Sequence, residues 1–314
     1  MKAFAIDELG QLGSVHELPL PEPAEGQVRI RVSAAGLNPF DNAVVQGYLK
    51  DRMEHRFPLV PGMDASGTVD ELGDGAEAWT VGDEVFGSVG KMQLGEGTLA
   101  EFVTMSSGTV ARKSASIDHT VAAALPVAGV TALMTADALQ LNEGQTVVAV
   151  GATGGVGSYF VQLAARRGAQ VIAVCSAVNA DYARGLGAVE VVDYTAGDIV
   201  EAVRSRNPGG IDAVADMVGD KEGLARLVEH LGPGGHVASV VGAADVEALG
   251  GRGIDAKNVN GMVATGSLEV LSRMLEGRAI NSPEIRSFPL TDAGEALAAV
   301  GTGHVRGKLI VVVE

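Results

Sequence analysis

Residues 27–33 alternate apolar and polar side chains, as a strand with one buried face does. Residues 68–72 and 84–87 read as shorter strands, and Pro61, Gly73, Gly75 and Gly82 separate them as turns. Short strands of this kind predict a compact, barrel-like β unit. The texture changes near Ala122. A helical pattern covers 131–139, a turn follows at 142–145, and a strand at 146–151 opens a βα alternation. Further strands are predicted at 170–175, 189–193, 212–218 and 236–241, with helices at 156–167, 180–185, 199–204 and 222–230. The first of these helices carries Val156, Phe160, Val161 and Leu163 mainly on one side and stops at Arg166, Arg167 and Gly168. Repeated βαβ units imply a parallel, doubly wound sheet of the Rossmann type, and so an α/β protein. Residues 258–264 form a candidate last strand at the sheet edge, followed by a helix at 268–275. A bare edge offers its backbone to a second copy, which makes a homodimer the expectation. From about Pro283 the tail reads as strand, helix 292–300 and strand 308–313, returning to the first domain. The predicted domains are 1–119 completed by 277–314, and 120–276.

The most informative stretch is Val-Val-Ala-Val-Gly-Ala-Thr-Gly-Gly-Val-Gly at 147–157, where a β-branched run enters glycines and a helix follows. Gly154 removes a Cβ where backbone must approach backbone, and Gly157 lets the helix sit close to its strand. The free N–H groups of the helix start, beside the positive end of its dipole, suit a dinucleotide pyrophosphate. Thr153, Gly154, Gly155, Val156 and Gly157 are therefore the candidate cofactor contacts. Ala152 stands where the usual fingerprint has its first glycine.

Length and charge narrow the picture. A chain of 314 residues suits two domains, and a formal net charge of −16 disfavours nucleic acid, whose phosphates would be repelled. Cys175 is the single cysteine, so no disulfide can form within the chain and a reducing compartment is expected. The N-terminal residues lack the apolar core of a signal peptide, and apolar runs such as 309–313 are too short to span a bilayer. The expectation is a cytoplasmic protein with no membrane partner.

The tip of the second strand selects the cofactor. An NAD site usually places Asp or Glu there for the ribose hydroxyls. Here the strand ends Val174, Cys175, Ser176, Ala177, without a carboxylate, which favours NADP, with Ser176 as a donor to its phosphate. Asp181 falls slightly too late, and no Lys or Arg lies between Ser176 and Ala183. Tyr194, after the third strand, is placed beside the adenosine. Val241 and Gly242, at the carboxyl end of a later strand, are placed at the nicotinamide.

Six segments carry a resemblance: Ala-Gly-Leu-Asn-Pro-Phe-Asp at 35–41, the run 57–67, Leu-Pro-Val-Ala-Gly-Val-Thr-Ala at 125–132, the glycine turn, Leu-Gly-Pro-Gly-Gly at 231–235, and Gly-His-Val-Arg-Gly-Lys at 303–308. Together they span nearly the whole chain, which resembles the zinc-independent quinone oxidoreductase (zeta-crystallin-like) branch of the medium-chain dehydrogenases/reductases. The resemblance implies a GroES-like β-barrel domain built from both chain ends and an active site in the cleft between domains. It also implies reduction of quinones, enones or other activated double bonds by NADPH. Zinc-dependent relatives carry Cys in the segment matching 36–41 and His where this chain has Met63. Those ligands are missing here, the six histidines show no ligand spacing, and no metal is expected.

Without zinc, hydrogen bonds must stabilise the negative charge that hydride transfer leaves on the conjugated oxygen. Asn38, which the resemblance places near the nicotinamide, is the first candidate donor. Asp41 is a second catalytic candidate that orients the site or caps the following helix. Tyr48 is the candidate proton donor or substrate wall. Thr131 matches a position beside the cofactor. Asp64 matches too and is read as holding loops together. Lys308 and Arg306 are placed to reach cofactor phosphate from the tail, against the alternative of solvated charge at a strand start. The readings set beside quinone or enone reduction are alcohol–ketone interconversion and a protein that binds NADPH without turning anything over.

Overall fold

The computed structural model describes residues 1–90 and 93–313. The chain forms two compact units, Met1–Val130 with Val263–Glu314, and Thr131–Met262. These bounds differ by about a dozen residues from those read in the sequence, because the helix after residue 125 belongs at its start to the first unit and at its end to the second, and because the helix at 265–276 belongs to the first unit.

In the first unit β1 (Lys2–Ala5) pairs antiparallel with β2 (Ser14–Glu17). The long strand β3 (Gln27–Gly36) buries Val28, Ile30 and Val32 on one face, as its alternation requires. Helix α1 (Pro39–Val45) follows, with Pro39 pre-set for a first helical position. β4 (Glu54–His55), β5 (Asp64–Leu72), β6 (Glu84–Ser88), β7 (Gln93–Leu94), β8 (Phe102–Ser106) and β9 (Val110–Arg112) complete the N-terminal strands. β3 pairs antiparallel with both β5 and β8, and β6 joins β5 to β9. Helices α2 (His119–Ala123) and α3 (Pro126–Ala138) lead out of this unit.

The second unit is one six-stranded parallel sheet. Its strands are β10 (Thr146–Val150), β11 (Gln170–Cys175), β12 (Glu190–Asp193), β13 (Ile211–Asp216), β14 (Leu231–Ser239) and β15 (Asp255–Asn258). They lie in the order β12-β11-β10-β13-β14-β15, so chain order reverses between β10 and β13. The helices between them are α4 (Gly155–Arg166), α5 (Ala180–Gly185), α6 (Ile199–Arg206), α7 (Lys221–Val228) and α8 (Val246–Gly250). Val148, Ile172, Val174, Val214 and Val237 from the strands meet Val200, Val203, Leu224 and Leu227 from the helices in one core. The edge strand departs from the sequence reading. It is β15, not 258–264, because Asp255, Lys257 and Asn258 carry no apolar alternation; the backbone after Asn258 is irregular as far as Ala264.

The tail returns to the first unit through α9 (Thr265–Glu276), β16 (Ile285–Pro289), α10 (Ala293–Gly301) and β17 (Lys308–Val312). β17 pairs antiparallel with β3, Ile310 opposite Gly36, and parallel with β16. Phe288, Leu297, Leu309 and Val311 thereby enter the same core as Ile30, Leu59 and Val103. Among the described residues no helix is long and apolar enough to cross a membrane.

Candidate active site

The glycine turn closes the carboxyl end of β10, the strand at which the sheet order reverses, which is where doubly wound sheets take ligands. Gly151 has φ +82°, a left-handed conformation that favours glycine. A Cβ on Gly157 would run into the Gly151 carbonyl oxygen and the Ala152 backbone, so α4 can lie this close to β10 only without that side chain. Gly154 behaves differently. It caps α4 in an extended conformation (φ −76°, ψ −177°), and a Cβ there would meet nothing nearer than the Gly151 oxygen at 3.6 Å. The close approach of protein backbone thus lies at Gly157, and the room beside Gly154 is open. Open space, the first N–H groups of a twelve-residue helix and no acidic side chain in its first turn form a cradle that fits a pyrophosphate.

Around the tip of β11 the structure gathers polar side chains. Asn179 Nδ2 donates to Ser176 Oγ at 3.3 Å and reaches Thr153 Oγ1 at 3.5 Å. Ser176 and Thr153, predicted separately, are thus neighbours through an asparagine that sequence reasoning passed over. Tyr182, also unpredicted, brings its hydroxyl 3.1 Å from Ser158 Oγ on α4. Asp181 is fully exposed and paired with Arg184 at 3.0 Å. Tyr194 is exposed beyond β12.

The adjoining strand ends are held from inside. Asp216, at the end of β13, accepts from Val218 and Gly219 N–H at 3.0 Å each through one oxygen and from Ser239 Oγ at 2.7 Å through the other. Ser239 Oγ in turn accepts from Ala243 N–H at 3.0 Å. This pair shapes the loop that carries Val241 and Gly242, both exposed, with Gly242 at φ +75°. Buried Asp and Ser at the carboxyl ends of β-branched strands were the available signal. Thr131 is buried, with Gly261 packed against its hydroxyl side.

In the first unit, Asn38, Asp41 and Lys308 converge with Asp64. All four are buried. Asp41 sits in the first turn of α1 and accepts from the Asn38 backbone N–H at 2.7 Å, the reciprocal arm of a helix cap. Asn38 Nδ2 donates to Asp64 Oδ2 at 2.9 Å. Lys308 Nζ donates to Asn38 Oδ1 at 2.8 Å and to the Leu37 carbonyl at 2.7 Å, and lies 3.8 Å from Asp64. Asp64 also accepts from Val127 N–H at 3.2 Å. Burial pushes Asp41 up to about 7, with the like charge of Asp64 adding to it, although the Asn38 N–H and Lys308 oppose the rise. Burial raises Asp64 also, and lowers Lys308 against the pull of the two carboxylates.

Lys308 departs from the alternative of solvated charge at a strand start, since its ammonium is enclosed beside Leu37 and Asn38, which engage it in place of a phosphate. The antiparallel pairing of β17 with β3 carries it there. Asp64, read as a loop-holding residue, proves to be the centre of the cluster. Arg306 is exposed and paired with Glu284. Tyr48 is 75% exposed, outside the buried cluster, and Met63 is half-buried. Among the described residues no three His, Cys, Asp or Glu side chains are grouped as metal ligands.

Residues 24–116 match the family described as "Alcohol dehydrogenase GroES-like domain", and residues 186–311 the one described as "Zinc-binding dehydrogenase". The mitochondrial NAD(P)H oxidoreductase RTN4IP1 of Mus musculus is 31% identical over 99% of this chain and 89% of its own length. The chloroplastic NADPH-dependent alkenal/one oxidoreductase of Arabidopsis thaliana is 29% identical over 99% of this chain and 79% of its own. Among solved structures, the quinone oxidoreductase from Coxiella burnetii superposes with a TM-score of 0.90 at 30% identity, covering 100% of this chain and 99% of that one.

Proposed function

Because this chain belongs to the medium-chain dehydrogenase/reductase family, in its quinone oxidoreductase branch, we propose that it is an NADPH-dependent reductase of quinones and α,β-unsaturated carbonyls that works without a metal. The observation that carries the reading is the cradle at 151–157, set at the point where strand order reverses and left open beside Gly154. In this family a bound nicotinamide cofactor supplies the hydride.

The chain's own residues divide the remaining work. Backbone N–H groups at Thr153, Gly155, Val156 and Gly157 hold the pyrophosphate, while Gly154, whose own N–H donates to the Gly151 carbonyl at 3.2 Å, leaves the room for it. Ser176 and Asn179 favour a 2′-phosphate over free ribose hydroxyls, since the tip of β11 carries no carboxylate of its own and the neighbouring Asp193, at the end of β12, is engaged by the Ala177 and Thr195 N–H groups, and Tyr194 borders the adenosine. Thr131, Val241 and Gly242 flank the nicotinamide. Asn38 donates its remaining amide hydrogen to the oxygen that becomes negative as the double bond is reduced. Asp41 holds the Asn38 backbone, and Tyr48, whose phenol is exposed, supplies the final proton. Metal-free operation is supported by the donor set, since the segment 36–41 and position 63 contain neither Cys nor His. A buried Cys175 fits a reducing compartment such as the cytoplasm, and the bare edge of β15 fits a homodimer.

The test is turnover. Purified protein given a panel of quinones and small enones is expected to consume NADPH faster than NADH, and to keep its rate after exhaustive chelation. Silence across the panel, or a rate restored only by added zinc, would count against this reading. Oxidation of simple alcohols in preference to the panel would favour alcohol–ketone interconversion instead.

A further inference from the structure

We propose that Lys308 is a positioning residue, whose ammonium fixes the Asn38 side-chain amide in one orientation so that a single N–H is left to donate. This rests on the reading of Asn38 as the donor to the reduced oxygen. Three atoms of Asn38 are gripped from three directions. Asp41 takes the backbone N–H at 2.7 Å, Asp64 takes one hydrogen of Nδ2 at 2.9 Å, and Lys308 donates to Oδ1 at 2.8 Å. A carboxamide has two ends of similar shape, and a flip exchanges them. Here the flip would set the amide NH2 against an ammonium and the amide oxygen against a carboxylate. Both contacts would turn from attraction to repulsion in a site where water cannot screen them. The chemistry of the partners alone therefore determines which end faces which, and the second Nδ2 hydrogen is the donor that remains.

The position of Lys308 supports the assignment independently. Burying an ammonium is costly, and a lysine at a strand start ordinarily reaches water. Lys308 is 3% exposed, with its head enclosed by the Leu37 carbonyl, Asn38 and Asp64. Removing one member of a buried pair strands the other, so Lys308 also steadies Asp64, and its role at Asn38 is read from turnover and not from stability. Its contacts converge on the one residue whose donor hydrogen the reaction uses.

The experiment is a double-mutant cycle on the full chain with Lys308→Met, Asn38→Ala and the pair together. Lys308→Met is expected to lower kcat by about tenfold or more while the KM for NADPH stays within about twofold, since the loss falls on a charge made only in the transition state. In the Asn38→Ala background the same change is expected to move kcat by less than about twofold, because the group it positions is gone. Lys308→Gln keeps an N–H donor within the chain and is expected to recover part of the rate; it also serves if the methionine variant does not fold. Equal losses in both backgrounds, or an unchanged kcat in Lys308→Met, would overturn the proposal. A second readout needs no turnover: in 15N-labelled protein one hydrogen of the Asn38 side-chain amide, the one held by Asp64, should be protected from exchange well beyond its twin, and this difference should be lost in Lys308→Met. If the native protein reduces nothing, the reductase reading fails, and an amide signal insensitive to Lys308 would sink the positioning role separately.

Discussion

The ammonium of Lys308 lies 2.8 Å from the side-chain oxygen of Asn38, although 270 positions separate them in the chain. The contact joins the last strand to the first long one and places a cation beneath the start of α1. Around it stand two buried carboxylates, so the cluster couples proton binding to folding.

That coupling gives a stability prediction with a definite sign. Asp41 rises from 3.8 to about 7 on burial. Between those values the folded chain holds a proton that the unfolded chain has released, so the contribution of Asp41 is greatest at low pH and is lost as pH rises through about 7. Lys308 is lowered, so its contribution improves with pH between its lowered value and 10.5. Urea unfolding from about pH 4 to about pH 8 should show a steeper loss of stability in the native protein than in Asp41→Asn. Parallel profiles for the two proteins would remove Asp41 from the account.

Gly154→Val separates ligand space from protein space. The backbone at Gly154 is one that any residue adopts, and an added Cβ meets nothing closer than 3.6 Å. Stability should change by less than about 1 kcal/mol, while NADPH affinity falls by at least about tenfold. Calorimetric titration with NADPH checks this, and undiminished affinity would remove the turn from the cofactor site.

Gly157→Ala should do the reverse. Its Cβ collides with the Gly151 carbonyl and comes within 2.7 Å of the Ala152 carbonyl carbon, both rigid backbone. The expected cost is about 1–3 kcal/mol of stability, read as a lower urea midpoint. A variant as stable as the native chain would mean that β10 and α4 need not approach so closely.

Ser176→Asp tests cofactor choice at the tip of β11. A carboxylate there would accept from ribose hydroxyls and repel a 2′-phosphate. The ratio of kcat/KM for NADPH over NADH should fall by about tenfold or more. A constant ratio would place the selecting residues elsewhere.

How much of this was legible beforehand follows from particular residues. β11 and α5 lie at 170–175 and 180–185 as their patterns predict, because an apolar strand between turns and a short amphipathic helix depend on neighbours close in sequence. β15 was misplaced because an edge strand such as Asp255–Asn258 buries little and shows no periodicity. Asn179 and Asp216 escaped notice because their partners lie on other loops. Thr153 is 26 residues from Asn179, and Ser239 is 23 from Asp216.

Residue identity, period and glycine spacing by themselves determined the doubly wound sheet, the turn at its centre and the lack of Cys and His at 36–41 and at position 63. These depend on local backbone preference and on which atoms the side chains possess. Only the tertiary structure decided that Lys308 is enclosed, that it and Asp64 both meet the Asn38 side chain, and that the tight approach falls at Gly157 while Gly154 stays open. Each is a matter of distance between atoms remote in sequence, set by the pairing of β17 with β3 and the packing of α4 on β10, and no pattern along a single chain encodes such distances.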